Sequence, residues 1–168
     1  MLIAPILVVL NNKTLSWLLS FLGALACLFI SILLMQTVSD GSILTYYLGG
    51  WVPPIGIEYR IDAANAILLF LISIISAIVL IFSYSSLQEE IPEEKHTLFY
   101  SCFLLCLTGL LGVVATADIF NIFVFLEISS LSTYVLVAQG AFLDRRALSA
   151  SFNYLIMGTI GATFFVIG

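Results

Sequence analysis

The chain has 168 residues, of which 62% are hydrophobic and 9% charged, with a formal charge of −5 and a mean hydropathy of +1.20. A soluble domain carries about 25% charged residues, so this chain cannot present a wet surface on all sides and belongs in a lipid bilayer. The acids are dispersed and no basic patch exists, which excludes nucleic acid as a partner.

Leu2–Leu10 is apolar but too short to cross a bilayer, which takes about 20 residues. No basic residue precedes it and no clear small-x-small cleavage site follows, so it does not read as a signal peptide. It is expected to be the tail of a spanning helix or a short interfacial piece, ended by Asn11, Asn12 and Lys13. Five longer apolar runs follow: Leu15–Val38, Ile61–Leu87, Thr97–Ala117, Ile119–Phe142, and one that starts at Ala147 and still runs at Gly168. None alternates with period two, so helices rather than barrel strands are the expected spans. The predicted fold is an all-α membrane protein, a single domain over 1–168, with five clear transmembrane helices and a partial N-terminal one.

The longest connection is Ser39–Arg60. Asp40-Gly41, Gly49-Gly50-Trp51 and Pro53-Pro54 break helices there. Tyr46, Tyr47, Trp51 and Tyr59 place amphipathic rings near the membrane surface. Ile55–Asp62 alternates apolar and polar residues, which predicts a short extended strand or hairpin with Asp62 capping the next helix. Gln88–Lys95 is expected to be an acidic loop. Asp118 is nearly the whole connection between the third and fourth spans. It makes them antiparallel neighbours and supplies a good cap for the fourth. Lys13, Lys95, Arg145 and Arg146 fall on one side of five crossings and Arg60 alone on the other. The positive-inside rule then puts residues 39–60 and the Asp118 turn outside the cytoplasm.

Glu127 carries the strongest functional signal. It lies nine residues after the cap, about 13 Å along the axis, close to the middle of a ~30 Å apolar core. A charged group at that depth costs about 2.5–3.5 kcal/mol by insertion scales, and such residues mark ion or proton pathways by default. Ser130, Leu131 and Tyr134 follow at i+3, i+4 and i+7, on the same face, so hydroxyls are expected to support the carboxyl. Desolvation disfavours the charged form of a carboxyl and a nearby cation favours it, which is the property a relay needs. The bland alternative is a protonated glutamate acting as helix–helix glue.

Other candidates are weaker. Cys102 and Cys106 are one turn apart, but two thiols without His or further Cys make a poor metal site. His96 is expected to be an exposed loop residue. Gly158 and Gly161, with Thr159 and Thr163, read as positions for close helix packing. No cofactor, metal or catalytic site is expected on this chain.

Three stretches carry a family resemblance. They are Gly49-Gly50-Trp51 followed by Pro54–Ala63, then Gly112–Ile128, and Tyr154–Ala162. They resemble the antiporter-like membrane family, which includes membrane subunits of respiratory complex I, of Mrp-type sodium/proton antiporters and of membrane-bound hydrogenases. The resemblance implies that Glu127 matches that family's key glutamate, one of a proton-handling pair. It also implies about fourteen helices in two inverted repeats, and a lysine on the next helix that pairs with the glutamate. Here the chain stops in what would be the sixth helix, the first is clipped, and Asn153 stands where many relatives carry a charge. The chain is therefore expected to be a fragment, a split subunit or a decayed gene product.

The expectation is a membrane subunit of a proton- or cation/proton-translocating complex in a prokaryotic plasma membrane. Glu127 would be its relay, with Asp118, Ser130 and Tyr134 as supporting polar residues. Its partners would be the bilayer, protons or sodium, and other subunits, including one supplying the missing helices and lysine. The alternative is a structural or vestigial membrane protein. Any NADH or quinone chemistry would belong to partner subunits.

Overall fold

The computed structural model describes residues 1–10, 12–53 and 55–168. The helix break at Asn11 and the second proline of Pro53-Pro54 lie outside the described residues. Six α-helices and one two-stranded sheet are present among the described residues. The helices are α1 (Ile3–Leu10), α2 (Lys13–Val38), α3 (Ala63–Glu90), α4 (Glu93–Ala115), α5 (Ile119–Gln139) and α6 (Arg146–Ile167). A 3₁₀ turn, Gly140–Phe142, ends α5. Among the described residues, α2, α3, α4, α6 and α5 with its terminal turn are long and apolar enough to cross a membrane.

The helices start where side chains can satisfy exposed backbone N–H groups. Asp62 accepts from Asn65 N at 2.9 Å, and Asp118 accepts from Asn121 N at 2.7 Å. Asn12 caps α2 more loosely, accepting from Leu15 N at 3.4 Å.

The helix α4 is the centre of the bundle. It packs on α1, α2, α3 and α5, while α6 packs on α5 and its terminal turn. Small residues are buried on both α2 and α3, which pack together. Ser16, Ser20 and Ala24 recur every four residues on α2, and Ala66, Ser73 and Ala77 lie buried on α3. Without a hydrophobic drive between helices in lipid, such residues let backbones approach closely. The Trp17 indole N–H crosses between these helices to the Leu80 carbonyl at 2.8 Å. Large apolar side chains such as Phe29, Phe82 and Phe164 face outward, as a lipid solvent allows. The helix α1 is not an interfacial piece: Ala4 and Leu7 are buried in the same core as Leu80 and Leu104.

The expected Gln88–Lys95 loop is almost entirely helical. Only Ile91 and Pro92 separate α3 from α4. Proline at the start of α4 gives up no helical hydrogen bond, and Glu93 and Glu94 in the first turn suit the positive end of the helix dipole. His96 corrects a second expectation. It is 3% exposed, and its Nε2 lies 3.0 Å from the Leu87 carbonyl and 2.8 Å from the Ile91 carbonyl. The imidazole therefore donates at the end of α3, to the Ile91 carbonyl and to the Leu87 carbonyl, which also accepts from the Ile91 N–H at 3.0 Å.

At the opposite end, β1 (Leu44–Tyr47) pairs antiparallel with β2 (Glu58–Ile61), with Leu44 opposite Ile61 and Tyr47 opposite Glu58. Gly49 and Gly50 have φ of 68° and 76°, a left-handed region that favours glycine, and so turn the chain beyond β1. The strand β2 is bonded to the α4–α5 turn: the Ala117 N–H donates to the Glu58 carbonyl at 2.9 Å, and Tyr59 bridges Thr116.

Candidate functional site

The helix α5 is fixed from two sides. Towards α4, it lies against bare backbone at two glycines. A Cβ added at Gly109 would stand 2.7 Å from Ser129 Cβ, and one at Gly112 would stand 2.3 Å from the Phe125 ring. Cys106 Sγ meets Thr133 Oγ1 at 3.3 Å on the same seam. Towards α6, Tyr134 is the anchor. Its ring stands edge-on to Tyr154 with centroids 5.2 Å apart, and its carbonyl accepts from Ser151 Oγ at 2.8 Å. Its hydroxyl lies over Gly158, where a Cβ would approach to 1.9 Å.

Glu127 sits between these clamps, half-buried, at mid-height of α5. It opens on a groove of about 590 Å³ between α5 and α6, lined by Phe123 and Leu131 on one side and Thr159, Ala162 and Thr163 on the other. Thr159 donates its hydroxyl to the Leu155 carbonyl at 2.7 Å, and Thr163 donates to the Thr159 carbonyl at 2.7 Å. With those protons committed, both oxygens remain as acceptors, which suits a protonated carboxyl or another donor in the groove. No lysine, arginine or histidine is among the groove's described lining residues.

The predicted supporting residues are not gathered around Glu127. Asp118 is spent on the cap at the head of α5, where Thr116 Oγ1 also accepts from the Asp118 N–H and from Asn121 Nδ2. It borders a separate hollow with Glu58 and Phe120. Ser130 is half-buried and outside the groove's described lining. Tyr134 does face α6, as Glu127 does, but its hydroxyl is held against Gly158.

The hydroxyls that share the groove are Thr159 and Thr163, which spacing alone had suggested for packing. Packing does describe Gly158, under Tyr134, and not Gly161, which has no described neighbour within 4 Å of an added Cβ. The missed signal was register: along antiparallel neighbours one number rises as the other falls, so pairing Tyr134 with Ser151 brings Gly158, and Thr159 beside it, level with Glu127. Among the described residues, no three His, Cys, Asp or Glu side chains cluster as metal ligands would.

No family model matches the chain. Its sequence is 42% identical over 138 residues to an NADH-quinone oxidoreductase subunit of Desulforudis audaxviator, a match covering 82% of this chain and 27% of that protein. It is 31% identical over 169 residues to a Na(+)/H(+) antiporter subunit of Bacillus subtilis, covering 99% of this chain and 33% of that protein. Among solved structures, a chain of the membrane-bound sulfane sulfur reductase, an archaeal respiratory membrane complex, superposes with a TM-score of 0.87 at 33% identity. That match covers 98% of this chain and 33% of the other. A chain of the Mrp complex from Dietzia sp. superposes with a TM-score of 0.86 at 23% identity, covering 99% of this chain and 31% of the other, a likeness of fold alone. The chain thus spans about a third of the length of the proteins it matches, and by sequence and fold it belongs to the antiporter-like family of membrane subunits.

Proposed function

We propose that this chain is part of a membrane subunit of a proton- or cation/proton-translocating complex, in which Glu127 relays protons within the bilayer. One observation carries the reading. Glu127 is the single Asp, Glu, Lys, Arg or His in the middle of any of the five long spans, and it faces a groove that supplies acceptors and no cation among its described lining. A relay works if a lysine or similar cation, from a helix beyond this chain, approaches that groove and withdraws. Its approach favours the carboxylate and its withdrawal favours the acid, so one proton is released and regained per cycle. The relatives named as subunits of a Na(+)/H(+) antiporter and of an NADH-quinone oxidoreductase support this general kind of work. Asp118 is a capping residue in this reading.

The orientation follows from charge. Lys13 pairs with Glu93 at the head of α4, and Lys95 lies over the Phe142 ring at the end of α5. This end of the bundle, with Arg145 and Arg146, faces the cytoplasm of a prokaryote, and the hairpin end with Arg60 faces away.

The test is Glu127→Gln and Glu127→Asp in the full-length subunit, assembled in its complex, with cation/proton exchange followed by a pH-sensitive dye in inverted vesicles. Glu127→Gln abolishes exchange while the complex still assembles, and Glu127→Asp retains part of it. Full exchange in an assembled Glu127→Gln complex overturns the proposal and leaves Glu127 as a protonated contact to the threonines.

A further inference from the structure

We propose that Thr159 and Thr163 are positioning residues that hold the protonated form of Glu127 and not its carboxylate, an inference that rests on the reading of Glu127 as a relay. Both threonines line the groove that Glu127 lines, across from it on α6. The pairing of Tyr134 with Ser151 puts Thr159 level with Glu127, and Thr163 follows one turn further along α6. Helical side chains tilt towards the N-terminus of their own helix. On antiparallel α5 and α6, Glu127 therefore leans towards the level of Thr163, and Thr163 leans back towards Glu127. The rotatable bonds of the glutamate let its carboxyl sweep the interval between the two hydroxyls.

The discrimination comes from where the hydroxyl protons are. A hydroxyl free to turn serves either form of a carboxyl, donating to the anion or accepting from the acid. Thr159 donates to the Leu155 carbonyl and Thr163 to the Thr159 carbonyl, each at 2.7 Å. What they offer the groove is lone pairs, which accept from the acid and repel the carboxylate. The acid thus has partners on this chain, and the carboxylate depends on a cation brought from beyond it. The other ionisable groups on α5 and on the helices packed against it are placed elsewhere. Asp118 is spent on its cap, Tyr134 lies over Gly158, and Tyr154 stands edge-on to Tyr134. On α4, Cys106 meets Thr133, while Glu93, Glu94, Lys95 and His96 sit in the first turn, at the far end of the helix. Arg145 and Arg146 stand at the head of α6.

The experiment follows cation/proton exchange as a function of pH in inverted vesicles that carry the full-length subunit in its complex. The variants are Thr159→Val, Thr163→Val and the two combined. Both threonines are exposed in this chain, so valine leaves the packing of α5 on α6 in place. Loss of an acceptor for the acid lowers the pH of half-maximal exchange by about half to one unit, the worth of one neutral hydrogen bond, and the maximal rate is kept. Thr159→Ser and Thr163→Ser, which retain the oxygen, keep the parent midpoint. If the threonines only made the groove more polar, valine would disfavour the charged form and raise the midpoint instead. An unchanged or raised midpoint overturns the proposal, and loss of exchange in Glu127→Gln then leaves the relay itself standing. Full exchange in an assembled Glu127→Gln complex overturns both. Either single variant, which alters one exposed side chain, decides the question if the double variant does not assemble.

Discussion

Gly158→Ala tests the geometry that sets the width of the Glu127 groove. The added Cβ would stand 1.9 Å from the Tyr134 hydroxyl and 3.1 Å from its Cζ. Ordinary contact is near 3.5 Å, so the hydroxyl must retreat by about 1.5 Å. Tyr134 has little room to do so: it is 6% exposed, edge-on to Tyr154 and tied by its carbonyl to Ser151. Overpacking of this kind costs about 1–3 kcal/mol, and alanine regains about 1 kcal/mol over glycine in a helix. The net expectation is a loss of about 0–2 kcal/mol. Tyr134→Phe in the same chain removes the offending oxygen and leaves the 3.1 Å contact as the nearest, a conflict of a few tenths of an ångström. The double variant is then more stable than Gly158→Ala alone, with a coupling of about 1–2 kcal/mol between the sites. Equilibrium unfolding of the full-length subunit in mixed micelles measures all four corners of the cycle. Strictly additive effects in the cycle refute the close approach of α5 and α6 at Tyr134.

Two more outcomes follow from the helix ends. Asp118→Ala removes the cap on α5 and lowers stability by about 0.5–2 kcal/mol in the same unfolding assay, while Asp118→Asn keeps most of it and neither abolishes ion exchange. His96→Ala strips a donor from the Ile91 carbonyl and leaves Leu87 with the Ile91 N–H alone, costs about 1–3 kcal/mol, and speeds amide exchange around the α3–α4 turn, with His96→Gln recovering part of the loss.

The five spans were legible because bilayer thickness demands a long apolar run and almost nothing else interrupts one. Asp62 and Asp118 were legible for an equally local reason, since a capping carboxylate reports on the three residues after it. His96 was not. Its burial depends on Pro92 folding α4 back so that the imidazole meets carbonyls five and nine residues earlier, which no short window reveals. The acidic stretch before it looked like a solvated loop because polarity was read without the dipole at the head of α4. In the candidate site, the depth of Glu127 came from counting along one helix, but its surroundings depend on a second. Ser130 shares a helical face with it on paper, yet the hydroxyls across the groove are Thr159 and Thr163. Gly158 and Gly161 look alike in the sequence, and only the first meets an aromatic ring.

The backbone bonds from β2 to the α4–α5 turn give the hairpin a mechanical meaning. The head of α5 is fastened to Glu58 and Tyr59, and its far half is fastened to α6 through Tyr134. Glu127 lies on the length between these two fulcrums. The span of α5 that holds Glu127 is thus tied at one end to the surface hairpin and at the other to α6, so its two attachments lie on different parts of the fold.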